Sequence, residues 1–348
     1  MFASGLFRVL LAWVAFSGSV MAGETKELTL AVYSVPKEAY ERTIIPTFQR
    51  YWKQRTGQDV RIRSSYGASG AQARAIIGGF EADVAALSLE GDLDQIAKAG
   101  LISHDWRIGP HKGMISASVV ALGVRKGNPK GIKVWEDLAR SGVEVLYPNP
   151  KTSGGAMWDV IAIYGAGLKL AERQAEVGKK PGTESPEAFA AGLLKRIQKN
   201  VKVMDKSGRE SVTTFERGVG DVIVTYENEL LPRIKSNRPY EIIVPKETVW
   251  IENPAAIIDR NVDRHHVRDV AEGFVSFLHS EEAQAAFAEL GFRPIDQAAS
   301  QTSGGTSPPL PIQLFTIADL GGWEKISAKL FGPHGAWTTI VEDLARGR

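Results

Sequence analysis

Short apolar runs alternate along this chain with longer segments in which apolar residues recur every three or four positions. Runs of the first kind predict strands, and the three-to-four spacing predicts helices. The predicted strands are 28–33, 60–64, 83–89, 119–125, 143–147 and 221–226, with a further extended apolar run at 248–258. The predicted helices are 38–56, 71–79, 93–99, 186–200, 267–278 and 281–290. This alternation predicts an α/β fold with a mostly parallel sheet.

The N-terminus has the pattern of a targeting segment. Arg8 is the only charge before Glu24, an apolar stretch covers 9–16, and small or neutral residues precede a cleavage position after Ala22. The apolar stretch is too short to span a bilayer in the mature protein. We therefore expect residues 1–22 to be a cleaved signal peptide and the mature protein to be exported and soluble. Polar segments rich in glycine, serine or proline at 178–185 and 301–311 predict surface loops.

Composition narrows the location and the class of partner. The chain has no cysteine, so it forms no disulfide and cannot carry a lipid-modified cysteine anchor. The expected location is the periplasm of a bacterium with two membranes, where the protein would be free and monomeric. Its 42 basic and 40 acidic residues are nearly balanced, and no arginine cluster or basic stripe indicates nucleic acid. No histidine or cysteine spacing indicates a metal.

Two glycine- and serine-containing loops suggest where a ligand binds. Tyr147-Pro-Asn-Pro-Lys-Thr-Ser-Gly-Gly-Ala-Met-Trp158 reads as a strand end, a polar loop and a helix that begins near Ser153. Tyr66-Gly-Ala-Ser-Gly-Ala-Gln72 has the same chemistry. The first turn of a helix has amide N–H groups without partners and a partly positive end, so it can hold an anion without lysine or arginine. Two such loops predict a pocket that holds an oxyanion with neutral donors.

The mature length predicts about two domains. We expect residues 23–118 and 248–348 to form lobe I and residues 119–247 to form lobe II. Ligands of open α/β sheets bind beyond the carboxyl ends of the strands, and both loops lie there. The loops are therefore expected to face each other across a cleft between the lobes.

At these residues the chain resembles the periplasmic sulfate-binding proteins of ATP-driven uptake systems. The matching segments are Tyr66-Gly-Ala-Ser-Gly70, Arg125-Lys-Gly-Asn-Pro129, Asn149-Pro-Lys-Thr-Ser-Gly-Gly155, Ser207 to Phe215, Gly218 to Glu229, Gly291-Phe-Arg-Pro294 and Phe315 to Trp323. The resemblance covers nearly the whole mature chain. It implies a two-lobed type II periplasmic binding protein that closes on sulfate and delivers it to the permease and ATPase subunits of an importer, without a cofactor.

The resemblance also implies which residues touch the anion. Ser69, Ser153, Gly154 and Gly155 match the family pattern, and Gly208 occupies a position where the family often has alanine. Two positions depart from it: Ser34 replaces an aspartate whose amide donates, and Tyr226 replaces a tryptophan donor. A tyrosine hydroxyl donates from a different height and angle than an indole. These departures leave thiosulfate, molybdate and phosphate as alternative ligands.

Selectivity for a fully ionised anion is expected from the absence of acceptors. None of the assigned site residues is a carboxylate, so a protonated oxyanion such as hydrogen phosphate finds no acceptor for its proton. The Glu210 carboxylate would supply such an acceptor if it pointed into the site, and we expect it to face solvent. Ser153 could instead be the nucleophile of a secreted hydrolase. It lacks the Gly-x-Ser-x-Gly elbow, and no histidine has the context of a base, so we expect a protein that is not an enzyme.

Overall fold

The computed structural model describes residues 25–176, 185–295 and 313–347. The expected signal peptide, almost all of the expected loop at 178–185 and the whole of that at 301–311 lie outside these residues. No helix in the described part of the chain is both long and apolar enough to cross a membrane.

The predicted strands and helices are all present, with shifted ends. The strands are β1 (Lys26–Tyr33), β2 (Val60–Gly67), β3 (Val84–Ala86), β4 (Met114–Arg125), β5 (Val145–Leu146), β6 (Val201–Val203), β7 (Val222–Tyr226), β8 (Tyr240–Ile243), β9 (Glu247–Ile257) and β10 (Gln313–Phe315). A first helix, α1, runs through Lys37–Ala39, a π-helical stretch Tyr40–Ile44 and Ile45–Thr56. The next are α2 (Ser69–Ile77), α3 (Glu90–Lys98), α4 (Gly154–Glu176), α5 (Pro186–Lys199), α6 (Gly208–Glu216), α7 (Glu227–Lys235), α8 (Asp259–His265), α9 (Arg268–Phe277), α10 (Glu281–Glu289), α11 (Trp323–Phe331) and α12 (Ala336–Ala345).

The strands form one continuous mixed sheet in the order β2-β1-β3-β9-β4-β7-β5-β6. Parallel strands β1, β2 and β3 make the first lobe, and parallel strands β5, β6 and β7 make the second. The long antiparallel strands β4 and β9 pair with each other and join the two groups. The protein is therefore a two-lobed α/β fold whose lobes share two connecting strands.

The C-terminal helices pack differently from the expected division. Trp337 and Ile340 of α12 are buried with Leu193 of α5 and Trp158 of α4 in the core of the second lobe. The helix α12 therefore packs on the second lobe, whereas the expected division places all of 248–348 in lobe I. The C-terminal strand β10 pairs in parallel with the first residues of β9, which both lobes share. The sequence did not predict that α12 packs on the second lobe, because helical periodicity shows that one face of a helix is buried but not which element covers it.

Arg125, in one of the quoted motifs, serves the fold rather than the cleft. Its guanidinium donates to the carbonyls of Phe215, Val219 and Gly220 at 2.8, 2.6 and 2.9 Å. It also lies 3.8 Å from the centre of the Phe215 ring. The planar fork of arginine suits this set of acceptors, which closes the turn between α6 and β7.

Arg293 and Glu227, from two other motifs, form an ion pair beside the connecting strands. The guanidinium donates to both carboxylate oxygens, one bond being 2.8 Å, and both side chains are almost completely buried. The backbone N–H of Arg293 donates to Ala117 in β4. Next to this pair, the Ser118 hydroxyl donates to Asn228 Oδ1 at 2.6 Å. These contacts attach α7 of the second lobe to the segment that returns from the first.

Candidate functional site

A small cavity lies between the lobes, beyond the carboxyl ends of β1, β2, β5 and β7. The space between atoms here is about 320 Å³, open solvent at the mouth included. Its wall is formed by Tyr33, Ser34, Val35, Ala68, Ser69, Ser88, Pro148, Ser153, Gly155, Asp159, Gly208, Thr225 and Tyr226. No lysine, arginine or histidine is in this set of described residues.

The residues assigned from sequence come together here with one exception. Ser34, Ser69, Ser153, Gly155, Gly208 and Tyr226 all line the cavity, although they come from segments far apart in the chain. Gly154 does not line it. Its Cα is pressed against the first lobe, where a side-chain carbon would overlap Ser88 Oγ and lie 2.8 Å from Leu89 Cγ. Glycine at 154 therefore allows the lobes to meet.

Three helices direct their first turns at this cavity. Ser69 begins α2, Gly154 begins α4 and Gly208 begins α6. The N–H groups of a first turn have no acceptor within the helix, and the helix dipole adds positive potential at that end. These helix starts therefore contribute positive potential to the cavity without a cationic side chain, as an anion site of neutral donors requires.

Ser153 keeps its hydroxyl proton available for a ligand. Its Oγ accepts from the Ala156 N–H at 3.3 Å and so caps α4. Ser207 caps α6 in the same way by accepting from the Glu210 N–H at 3.3 Å. The Glu210 carboxylate accepts from the Lys206 N–H at 3.0 Å and its side chain is exposed. The expectation that Glu210 faces solvent is confirmed.

Ser69 is placed at the cavity, but its hydroxyl is already engaged. The hydroxyl donates to Asp92 Oδ2 at 2.5 Å and accepts from the Ser88 N–H at 3.0 Å. Burial raises the pKa of Asp92 to about 6, although the bond from Ser69 opposes the shift. The group of Ser69 that remains for a ligand is its backbone N–H at the start of α2.

Tyr226 closes one side of the cavity. It is 2% exposed, and its Oη has no hydrogen-bond partner among the described residues. Burial raises its pKa well above the usual value, so the hydroxyl stays protonated and can donate. Trp158 does not take the role of an indole donor to the ligand, because its Nε1 donates to the Ser88 carbonyl at 2.8 Å across the interface between the lobes.

Sequence reasoning missed four polar side chains in the wall, Tyr33, Ser88, Asp159 and Thr225, and two of them have an oxygen without a hydrogen-bond partner in the described part of the chain. Ser88 follows β3 at its carboxyl end, and its Oγ has no partner among the described residues. Asp159 is 1% exposed, and its Oδ1 likewise has none. The sequence did contain a sign of both residues. Ser88 lies near the carboxyl end of a predicted strand, and Asp159 follows Gly155 by four residues, which places both on one helix face. The absence of carboxylates from the assigned set does not extend to the whole cavity.

At the mouth, the lobes are linked by an ion pair. Arg209 of α6 donates to both carboxylate oxygens of Glu38 at 2.7 and 2.5 Å. Burial opposes ionisation of Glu38, but the Arg209 guanidinium outweighs it and lowers the pKa of that carboxyl. A second link joins Arg74 to the Lys151 carbonyl at 3.4 Å. Arg209 is thus paired with protein rather than directed at the cavity.

A sequence profile described as bacterial extracellular solute-binding protein matches residues 28–293. The chain belongs to this family. A sulfate-binding protein of Synechococcus elongatus is 44% identical over 95% of this chain and 91% of the relative. A thiosulfate-binding protein of Pseudomonas aeruginosa is 34% identical over 95% and 96% of the two chains. The two relatives differ in the anion in their names, so family membership leaves the anion of this chain open between them.

Solved structures agree with the family assignment. The sulfate-binding protein SubI of Mycobacterium tuberculosis superposes with a TM-score of 0.76 and 34% identity, over 88% of this chain and 99% of that one. A periplasmic thiamin binding protein shares only the fold, with a TM-score of 0.57 and 16% identity over 85% and 92% of the chains. The type II two-lobed fold expected for the family is therefore present. Within the described residues, no group of three or more histidine, aspartate or glutamate side chains could hold a metal ion.

Proposed function

We propose that this protein is a periplasmic receptor that binds sulfate in the cavity and delivers it to the permease and ATPase subunits of an importer. The observation that carries the proposal is the convergence of three helix N-termini and free hydroxyls on one small cavity whose wall has no cationic side chain. The relatives named for sulfate and thiosulfate support the ligand class. We propose the amides of Ser34, Ser69, Gly155 and Gly208 and the hydroxyls of Ser153 and Tyr226 as donors; Gly154, expected from the sequence as a further donor, does not line the cavity.

Neutral donors suit a dianion that has lost its water. Stripping water from an ion is costly unless hydrogen bonds replace those it loses. Donors at helix starts are fixed in direction, so they need little reorganisation when the anion arrives. Sulfate has no proton at neutral pH and needs no acceptor. The neutral donors therefore suit sulfate, whereas the Asp159 carboxyl in the wall would favour hydrogen phosphate only if it were ionised. Thiosulfate remains the second candidate because a relative carries that name.

Closure follows from the placement of the donors. Ser34 and Ser69 belong to the first lobe, and Ser153, Gly155, Gly208 and Tyr226 belong to the second. An anion can use all of them only when the lobes are in contact, so its binding energy favours the closed form. Strands β4 and β9 are the connections about which we expect the lobes to hinge. Binding without chemical change also distinguishes a receptor from a hydrolase that uses Ser153.

Calorimetric titration of the mature, dialysed protein with sulfate, thiosulfate, molybdate and phosphate tests the proposal. We expect one sulfate per chain, no heat from phosphate and recovery of unchanged sulfate after release. Tight binding of phosphate with no response to sulfate would reject the assignment. Turnover of an ester substrate by the wild type, lost in Ser153→Ala, would support the hydrolase instead.

Ser153→Ala is expected to weaken sulfate binding by about tenfold. The change removes one hydroxyl donor to a charged ligand, and such bonds contribute about 1.5–3 kcal/mol. It also removes the α4 cap, which costs about 1 kcal/mol of stability. Ser207→Ala is the matched control, because it removes the equivalent cap of α6 from a residue outside the cavity wall. Equal affinities of wild type and Ser153→Ala, by calorimetry, would remove Ser153 from the site.

Loss of the ion pair between Arg209 and Glu38 is expected to favour the open form. The side chains are 30% and 31% exposed, so the pair contributes about 1 kcal/mol, or about fivefold in affinity. We expect Arg209→Ala and Glu38→Ala to weaken sulfate binding to a similar extent and the double variant to be no worse than either. Stopped-flow measurements should place the change in the dissociation rate.

The control for this pair is Glu144→Ala, which breaks an exposed pair with Lys202 inside the second lobe. It should leave sulfate affinity unchanged. Additive losses from Arg209→Ala and Glu38→Ala in the double variant would show that the two residues do not act as a pair.

A further inference from the structure

Asp159 is an unexpected group in a cavity that is proposed to bind a dianion. It lies on α4 four residues after Gly155, so both occupy the same helix face. Helical side chains lean toward the N-terminus, and Gly155 has no side chain to block the path. The Asp159 carboxyl therefore reaches back toward the first turn of α4, in agreement with its place in the cavity wall.

Among the described residues of the cavity wall, no cationic side chain is present to compensate an ionised Asp159 carboxylate. The titratable groups whose pKa values Asp159 raises are Tyr147 after β5 and Tyr226 at the end of β7. The next nearby acid is Asp92 of α3, which is engaged by Ser69. Burial is the only cause that acts on Asp159 itself, and it raises the pKa of this carboxyl well above the usual value. Protonation is the way in which a buried, unpaired carboxyl avoids the cost of desolvation.

We propose that Asp159 is a proton-linked donor of the anion site: its carboxyl group is neutral in the sulfate complex and directs its O–H into the cavity. This inference rests on the proposed function. It reconciles a carboxyl in the wall with a dianion, since an acid that carries its proton donates a hydrogen bond whereas a carboxylate would repel the ligand. The protein then binds a proton together with sulfate whenever the pH is high enough for Asp159 to be ionised in the free protein.

The sign of the pH dependence follows from linkage. Sulfate favours the protonated form of Asp159, so affinity is highest below the pKa that this group has in the free protein. Above that pKa, each pH unit should lower the affinity by up to tenfold, because one proton must be taken up for each sulfate bound. Asp159→Asn keeps the shape and an N–H donor but has no proton to exchange, so its affinity should not follow this profile.

The test is calorimetric titration with sulfate from pH 5 to 9 in pairs of buffers that differ in ionisation enthalpy. We expect wild type to take up as much as one proton per sulfate at pH values where Asp159 is ionised in the free protein, and Asp159→Asn to take up none. In parallel, the infrared difference spectrum between sulfate-bound and free wild type should contain a protonated-carboxyl band that is absent from Asp159→Asn. Asp92→Asn is the matched control, because it alters the other buried acid, which lies outside the cavity wall.

Each other outcome contradicts the inference. Identical pH profiles of wild type and Asp159→Asn, or proton uptake that disappears in Asp92→Asn and persists in Asp159→Asn, would overturn it while sulfate binding itself stands. Phosphate binding that Asp159→Asn abolishes would show an ionised carboxylate that accepts a proton from the ligand. Absence of sulfate binding by both proteins at every pH would overturn the proposed function as well.

Discussion

Gly154→Ala is expected to weaken sulfate binding by about 10- to 100-fold while the protein remains folded. The added carbon would overlap Ser88 Oγ and lie 2.8 Å from Leu89 Cγ, both of which belong to the first lobe. Overpacking of this kind costs about 1–3 kcal/mol, and each 1.4 kcal/mol is tenfold in affinity. The clash exists only where the lobes meet, so the open form avoids it. Calorimetry measures the affinity, and small-angle scattering with saturating sulfate measures whether the protein still closes.

Gly208→Ala is the matched control for this prediction. Gly208 also begins a helix at the cavity, but a side-chain carbon there would meet only Val35 Cγ2 at 3.8 Å, an ordinary contact. We expect sulfate affinity within about twofold of wild type, since overpacking is absent and the backbone N–H is retained. Equal losses in both variants would mean that any side chain at these helix starts disturbs the anion and that closure is not the affected step.

Glu227→Ala is expected to lower the free energy of unfolding by about 3–5 kcal/mol, because it breaks a buried ion pair with the Arg293 guanidinium. The two side chains are 0% and 2% exposed, so water cannot replace the lost partner. Glu227→Gln, which preserves volume and one acceptor, should lose less. Denaturation by urea in the absence of sulfate, followed by circular dichroism, gives these values.

Asp59→Ala is the control, since it breaks an exposed pair with Lys53 whose side chains are 57% and 59% exposed. Such a pair contributes at most about 1 kcal/mol. Comparable losses in Asp59→Ala and Glu227→Ala would show that burial does not set the importance of the Glu227 pair. Unchanged stability of Glu227→Ala would contradict the structural role given to this motif.

Much of the fold was readable from the chain alone. Local patterns determined the element types: 221–226 is a short buried strand, 186–200 is a helix, and each was found within one residue of its predicted end. The position of the cleft was also readable, since anion loops follow strands at their carboxyl ends. These features depend on residues that are neighbours in the sequence, which is why periodicity and capping predict them.

Contacts between residues far apart in the sequence could not be predicted from periodicity and capping. The Ser69 hydroxyl donates to Asp92, 23 residues later in the chain. Only the backbone N–H of Ser69 therefore remains to bind a ligand, although the sequence suggests a hydroxyl donor. The helix α12 covers the second lobe although it follows segments of the first. Arg209 meets Glu38 across 171 residues of chain. In each case a polar or apolar group needs a partner, but the sequence does not state which of many compatible groups supplies it.

The sequence by itself determined the α/β class, the helix starts that carry N–H donors, and the expectation of an anion held without cations. These follow from local backbone geometry and from the chemistry of serine and glycine. Only the tertiary structure decided that Gly154 is a point of contact between lobes, that Ser88 completes the wall and that Asp159 enters the cavity. Burial and the absence of a partner for a polar atom are properties of the packed molecule, because both depend on what the rest of the chain places around that atom.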